Sequence, residues 1–314
     1  MSSLTHASNA NALHLARRVL LIAFGLAIAL SACRGAIPED TDLTKPAETA
    51  ADSTATPASS SAPDVTRPAA PTDAGQQDDA LELLEQGRTL LDDDQCEAAL
   101  EPLERAVELD PGLADAYLTL GNAYARTAQV EKAIEAYNTA ISIDPDFSAA
   151  FTNLGAAYLR EATDPEALRS AVEAFEKAIA LDPEDADTHV NLGFARLQAA
   201  LLPQAMDEFE QALSLNPELA EAYVGFGFAY LVQGEATQAI DQLQKAAEID
   251  PAMPEARYYL GIAYYETEQF DQAILALEAF LDIEIPPQCK GDQGLAAEAR
   301  EQAATLLDQL RAMQ

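Results

Sequence analysis

The chain has 314 residues, with 18 Lys and Arg against 53 Asp and Glu, a formal net charge of −35 at pH 7, and a composition that is 49% apolar but only 6% aromatic. Length and apolar content allow one or two domains with a core of useful size, while the charge argues against nucleic acid or an anionic lipid surface as partner. There is no Trp, and of three His only His189 lies beyond residue 14, which disfavours a His-based metal site or catalytic triad.

At the amino terminus, Arg17-Arg18 precedes an uncharged run from Val19 to Leu30 that closes on Ser31-Ala32-Cys33. Spanning a bilayer takes ~20 apolar residues, so this run reads as the h-region of a signal peptide covering residues 1–32. Leu30-Ser31-Ala32-Cys33 resembles the lipobox of bacterial lipoproteins. That resemblance implies cleavage before Cys33, acyl chains such as diacylglycerol and palmitate on that residue, and a membrane location through the lipid anchor. Arg34 follows where an Asp would favour inner-membrane retention, so the resemblance points to the outer membrane, facing the periplasm. A plain secretory signal, or an uncleaved anchor, with Cys33 a bystander, is the alternative.

Residues 33–79 are dominated by Pro, Ala, Ser, Thr and Asp, as in Thr54-Ala55-Thr56-Pro57-Ala58-Ser59-Ser60-Ser61-Ala62-Pro63. Such a segment cannot bury enough surface to offset its ordering entropy, so a disordered tether is expected, with a root-mean-square reach of ~35–40 Å.

Beyond it the chain repeats itself. Gly87, Gly121, Gly155, Gly193, Gly227 and Gly261 step by 34, 34, 38, 34 and 34 residues, and Pro111, Pro145, Pro183, Pro217 and Pro251 follow at a matching interval. Between each Gly and Pro sits an Ala pair: Ala99 and Ala106, Ala133 and Ala140, Ala171 and Ala178, Ala205 and Ala212, Ala239 and Ala246. Small residues at Gly121 or Ala133 let two antiparallel helices approach closely, Leu120, Tyr124 and Tyr137 fill the space beside them, and Ile143-Asp144-Pro145 ends the second helix. No single helical pair buries its own apolar face, so each needs its neighbours. The longer third interval, with Thr163-Asp164-Pro165, predicts a loop and a new helix start.

This pattern resembles the tetratricopeptide repeat (TPR) family. The resemblance implies an all-α fold: a right-handed superhelix of six helix-turn-helix units over 80–285 (80–113, 114–147, 148–185, 186–219, 220–253 and 254–285). A loop at 286–292 and a capping helix over 293–314 complete it, the helix carrying Ala299, Ala303, Leu306, Leu307 and Leu310 on one face.

In that family the first helix of each pair lines a concave groove. Carried over by position, the resemblance assigns Arg88, Asn122, Arg126, Asn153, Arg160 and Asn191 to the amino-terminal half of the groove. The carboxy-terminal half receives Val190, Phe194, Leu197, Val224, Phe228, Leu231, Tyr258, Ile262 and Tyr265. Asn can both donate to and accept from an extended peptide backbone, and aromatic faces serve as anchors. The same aromatics are equally suited to packing between neighbouring helices. The chaperone-binding branch of the family clamps a tail carboxylate with Lys and Arg; this chain has Asp115, Asp187, Glu221 and Glu255 at the second groove position, which disfavours such a clamp.

His189 replaces the bulky residue seen as Tyr117, Phe151 and Tyr223, which predicts a packing histidine with a satisfied ring nitrogen. Cys96 occupies the slot held by Val130, Leu202 and Phe270, so a buried packing role is expected. A Cys96–Cys289 bond is disfavoured because the two lie at opposite ends of the array, whereas a disulfide needs Cα atoms within ~7 Å. Asp92-Asp93-Asp94 lacks the spacing and Gly turn of a calcium loop. No phosphate loop, nucleophile motif or paired carboxylate stands out, so neither cofactor nor metal is expected and no catalytic residue is assigned.

The resulting expectation is a non-enzymatic adaptor or scaffold of the bacterial cell envelope that binds a protein or extended peptide, and neither nucleic acid nor a small-molecule substrate. It resembles outer-membrane TPR lipoproteins that help assemble type IV pili and secretins. The rival readings are a soluble periplasmic chaperone-like binder and an accessory of an O-linked glycosyltransferase.

Overall fold

The computed structural model describes residues 74–160, 165–283 and 293–313. Cys33 and the signal-peptide run lie outside them, as does most of the tether. Thirteen helices make up the secondary structure of the described residues: α1 (Ala74–Asp92), α2 (Cys96–Leu109), α3 (Ala114–Arg126), α4 (Val130–Ile143), α5 (Ser148–Arg160), α6 (Pro165–Leu181), α7 (Ala186–Gln198), α8 (Leu202–Leu215), α9 (Ala220–Gln233), α10 (Ala236–Ile249), α11 (Pro254–Glu266), α12 (Phe270–Asp282) and α13 (Gln293–Met313). They form six hairpins and a terminal helix, the all-α solenoid expected from the repeat. Two boundaries sharpen. α1 begins at Ala74, six residues inside the segment assigned to the tether, because the last proline there is Pro71 and Gly75, in the first helical turn, is the weakest helix former between Ala74 and Leu81 that the helix has to absorb. α6 opens at Pro165, whose missing N–H suits a first helical turn.

Each helix packs on its hairpin partner and then on the helix that follows. First helices of successive pairs also touch one another (α1 and α3, α3 and α5, α5 and α7, α7 and α9, α9 and α11), while the second helices make no comparable contact. The stack therefore curves toward the first helices, which form its inner face.

Close approach within a hairpin rests on the repeated glycine. A Cβ at Gly121 would lie 3.0 Å or less from three carbons of the Tyr137 ring, and one at Gly193 would lie 2.9 Å or less from three carbons of Phe209. Gly225 contributes a second approach: its Cβ would lie 2.8 Å or less from three carbons of the same Phe209 ring, now from the next hairpin. Phe209, fully buried, is thus clasped between α7 and α9 and packs edge-on against Phe194 at 5.3 Å. The paired alanines Ala99, Ala106, Ala133, Ala140, Ala205, Ala212, Ala239 and Ala246 are all buried.

The turn inside five of the hairpins uses one device. Asp94, Ala128, Ala200, Gly234 and Glu268 occupy the same repeat position, and all have positive φ, between 57° and 79°. Only one of the five is glycine, so four side chains sit in a backbone region that costs ~1–2 kcal/mol for an L-residue. Between hairpins, an Asx turn recurs: Asp110, Asp144, Asp182, Asn216 and Asp250 each accept from the backbone N–H two residues on.

The carboxy-terminal end is closed differently. Phe280 stands where the other units have alanine, is fully buried, and packs on Tyr258 at 5.2 Å with the Arg300 guanidinium 6.0 Å from its centroid. α13 covers it and brings its own buried small residues, Ala299 and Ala303.

Candidate functional site: the inner face

Beyond α1 the inner face is poor in charge. α1 carries five acidic residues; beyond it, the other five first helices, α3, α5, α7, α9 and α11, carry five between them, whereas the six second helices carry seventeen. Of the five beyond α1, Asp115, Asp187, Glu221 and Glu255 lie in first turns, where a carboxylate complements the helix dipole. Among the described residues beyond α1, the acidity is therefore carried mainly by the outer face and turns. Asp187 shows the crowding at the amino-terminal rim: burial first, then the Asp185 and Glu221 carboxylates, raise its carboxyl above the usual range. Burial likewise raises Glu266.

Asn122 and Asn153 meet on this face. The Asn153 amide donates to Asn122 Oδ1 at 2.9 Å, and the Tyr137 hydroxyl donates to the same oxygen at 2.8 Å. Both side chains remain partly exposed. One step along, Thr152 and Thr188 share a buried hydroxyl contact of 2.8 Å. Asn191, 9% exposed, lies deeper than its counterparts.

The arginines have structural work. Arg126 donates to the Leu91 carbonyl at 2.6 Å and pairs with Asp94; Arg160 donates to the Ala125 carbonyl at 3.0 Å. Each reaches back to the last turn of the preceding first helix, where carbonyls lack intrahelical donors. Arg300 does the same for the Leu281 and Ile283 carbonyls. Arg88 stands 3.5 Å from Asp115, with both side chains substantially exposed.

Phe194, Phe228 and Tyr258 are 2, 3 and 1% exposed. Phe228 packs on Tyr259 of the next hairpin at 5.3 Å, and the Tyr258 hydroxyl, its ionisation suppressed by burial and the Glu298 charge, donates to Gln302 of α13 at 3.0 Å. In this arrangement the three rings are packed within or between hairpins and are nearly closed to solvent. Val190, Val224, Leu231 and Ile262 are buried with them. Tyr265 is partly buried against Phe270 at 6.2 Å. The carboxy-terminal half of the inner face is thus packed together, and the polar amino-terminal half around Asn122 and Asn153 is the part that offers hydrogen-bonding groups.

Three features escaped the sequence. Cys96 is fully buried, as a packing residue should be, and is also disulfide-bonded; the other two cysteines, Cys33 and Cys289, lie outside the described residues. An open cleft of about 620 Å³ between α5 and α6 is floored by Phe151, Leu154, Tyr158 and Ala174. An ionic network joins His189, Glu208, Arg196 and Glu176. The substitution of Arg196 into a slot held by tyrosine in other units was the available signal for the last.

Among the described residues no group of His, Cys, Asp and Glu could hold a metal ion, and no helix is long and apolar enough to cross a membrane.

A TPR repeat family profile matches residues 129–161, 167–199 and 229–268, and a tetratricopeptide repeat profile matches 255–283. No curated protein matches the chain. Among solved structures, the chain is similar to one in the APC/C hetero-tetramer Cut9–Hcn1, with TM-score 0.60 and 19% identity over 73% of this chain; it spans 43% of that one. It is similar to Pseudomonas aeruginosa pilF, with TM-score 0.56 and 22% identity, covering 71% of this chain and 99% of that one. It is also similar to TTC0263, a thermophilic TPR protein of Thermus thermophilus, with TM-score 0.50 and 23% identity, covering 64% and 99%. At these identities the likeness concerns the fold. Residues 129–161, 167–199 and 229–283 are tetratricopeptide repeats, and the described residues fold as a TPR solenoid.

Proposed function

We propose that the protein is a non-enzymatic scaffold of the bacterial cell envelope, held to a membrane by lipid on Cys33, that binds an extended segment of a partner protein along the amino-terminal half of its inner face. TPR folds generally mediate protein–protein interaction. The observation that carries the reading is the contrast between the two faces: beyond α1 the inner one carries few carboxylates and presents Asn122 and Asn153, and the outer one is dense in carboxylates. Amide side chains can satisfy both the N–H and the C=O groups of an extended chain, and a weakly charged trough admits a neutral or basic segment. The anchor and the envelope location rest on the signal-peptide run and Leu30-Ser31-Ala32-Cys33. The two rival readings are a soluble chaperone-like binder and an accessory of a glycosyltransferase-type enzyme; no feature of the inner face favours either.

The test is site-specific photo-cross-linking in intact cells, with the probe at Asn153 on the inner face and at Glu135 on the outer one. A defined product from position 153, absent from position 135 and weakened by Asn122→Ala, is the expected result. Products only from position 135 would move the binding surface outward. In parallel, Cys33→Ala should release the protein from the membrane fraction; retention would remove the lipid anchor from the reading.

A further inference from the structure

The place of the cleft between α5 and α6 recurs in the other hairpins, and four of them set a cation of their own there. In the second hairpin the Lys132 ammonium lies 5.0 Å from the centroid of the Tyr124 ring. In the fourth, Arg196 stands in the slot of that tyrosine, and its guanidinium is held by Glu208. In the fifth, the Lys245 ammonium lies 5.4 Å from the centroid of Tyr223. In the sixth, Arg257 takes the slot of Tyr223 itself.

The third hairpin keeps the rings and lacks the filling. Phe151 and Tyr158 occupy the two ring slots, both partly exposed. Ser170 replaces Lys132 and brings no charge, and Ala174 stands where the fourth and fifth hairpins have Glu208 and Gln242. What remains is the open space of about 620 Å³, with Phe151, Tyr158 and Ala174 on its floor and Ser170, Glu173, Glu176 and Lys177 around it. Lys177, the counterpart of Lys245, lines this space and stacks on neither ring. Its one ammonium faces two carboxylates. Glu173 meets only Arg169 of its own helix, at 3.8 Å, with the two side chains 65 and 63% exposed; ions so exposed hold each other weakly. Glu176 meets Arg196 at 3.1 Å and is itself 51% exposed.

Charge selects the occupant. The six second helices carry seventeen acidic residues against five basic ones, so the potential on their side of the stack favours a cation. Aromatic faces attract a guanidinium or ammonium through the ring quadrupole. We propose that the cleft is a docking pocket for a basic side chain, arginine or lysine, presented by a partner polypeptide. The methylene stem of that side chain lies on Phe151, Tyr158 and Ala174, and its charged head reaches Glu173. Four sibling hairpins meet this need from within the chain; the third leaves it to a second molecule. The pocket is separate from the amide face: at 3.6 residues per turn, Asn153 lies about 200° around α5 from Phe151. A segment along Asn122 and Asn153 and a basic side chain in the cleft therefore use opposite sides of one helix, and either can be lost without the other.

The experiment is an NMR titration of the full chain in detergent micelles with two capped tripeptides, acetyl-Ala-Arg-Ala-amide and its norleucine counterpart, which keeps an alkyl stem and lacks the charge. The readouts are the Ala174 methyl and Phe151 ring signals and the dissociation constants drawn from them. The arginine peptide should shift both signals. The norleucine peptide should bind about two- to fivefold more weakly, the range that a cation over an exposed ring accounts for. Ser170→Lys gives the third hairpin the ammonium found in the second and should weaken the arginine peptide by a like factor. Ala174→Gln, which installs the residue of the fifth hairpin, fills the floor and should weaken both peptides; it serves if the lysine variant fails to fold. Equal binding of the two peptides, shifts scattered over other acidic helices and absent from Ala174, or unchanged binding in the folded variants would overturn the proposal.

Discussion

Phe209 is the residue whose removal tests the packing logic most directly. Its ring, fully buried, fills the space left by Gly193 of its own hairpin and by Gly225 of the next. Truncating a buried Phe to Ala costs ~3–5 kcal/mol, so Phe209→Ala should be strongly destabilising. Gly225→Ala in the native background places a Cβ within 2.8 Å of three ring carbons; overpacking costs ~1–3 kcal/mol, and the ~1 kcal/mol gain in helix propensity offsets part of it. With Phe209 removed, the clash is gone. The same substitution then keeps its propensity gain and buries a methyl worth ~0.8 kcal/mol, so Gly225→Ala should reverse sign and stabilise by ~1–2 kcal/mol. The coupling, about 2–4 kcal/mol, is read from a double-mutant cycle in urea followed by circular dichroism, with hydrogen exchange in α8 and α9 as a local check because a solenoid need not unfold in one step. Should Phe209→Ala fail to fold, Phe209→Leu serves, as Leu243 fills the corresponding space beside Gly227. Equal effects of Gly225→Ala in both backgrounds would refute the account of Phe209 as a shared wedge.

The left-handed turns predict a gain from an unusual substitution. Ala200, at φ 57°, should be stabilised by Ala200→Gly by about 1 kcal/mol, since relief of the Cβ strain exceeds the added chain entropy; a fall in the urea midpoint would contradict this. Asp187, its carboxyl raised by burial and by Asp185 and Glu221, resists ionising in the folded state, so it lowers stability as pH rises. Asp187→Asn should therefore raise the Tm at neutral pH, with the gain shrinking on acidification; an unchanged gain at acid pH would remove the electrostatic cause. For the disulfide of Cys96, lipid on Cys33 would occupy that sulfur in a thioether and leave Cys289 as its only partner in the chain. Because Cys289 follows α12, at the other end of the stack from α2, that pairing is disfavoured, and peptide mapping under non-reducing conditions decides the matter: a Cys33–Cys96 peptide from membrane-bound protein would exclude the anchor, and a Cys96–Cys289 peptide would retain it.

The sequence was most informative where the repeat constrains it. The 34-residue step of Gly193, Gly227 and Gly261 and the alanine pairs identify the hairpins because each packing need recurs in every unit, and Pro165 marks the start of α6 for the local reason that proline suits a first turn. Gly225 was not legible, because it lies two residues from the repeating glycine and its partner belongs to the neighbouring hairpin. The inner-face aromatics illustrate the same limit. Position tells which face Phe194, Phe228 and Tyr258 are on, but their burial depends on how closely successive first helices approach, a distance no spacing encodes. Arg126 and Arg160 reach the expected face, and their engagement with the Leu91 and Ala125 carbonyls emerges only once one helix is set behind another. Glu208 reads as one more surface acid until α7 and α8 are docked.

The unequal charging of the two faces turns the stack into an electrostatic spring. Carboxylates on successive second helices repel one another across distances comparable to the ~10 Å Debye length at about 0.1 M salt. Repulsion of that kind favours a more strongly bowed array. Added salt should relax the bow, and small-angle scattering would register it as a lengthening of the particle, so that the width of the trough becomes a property of the surrounding medium as well as of the chain.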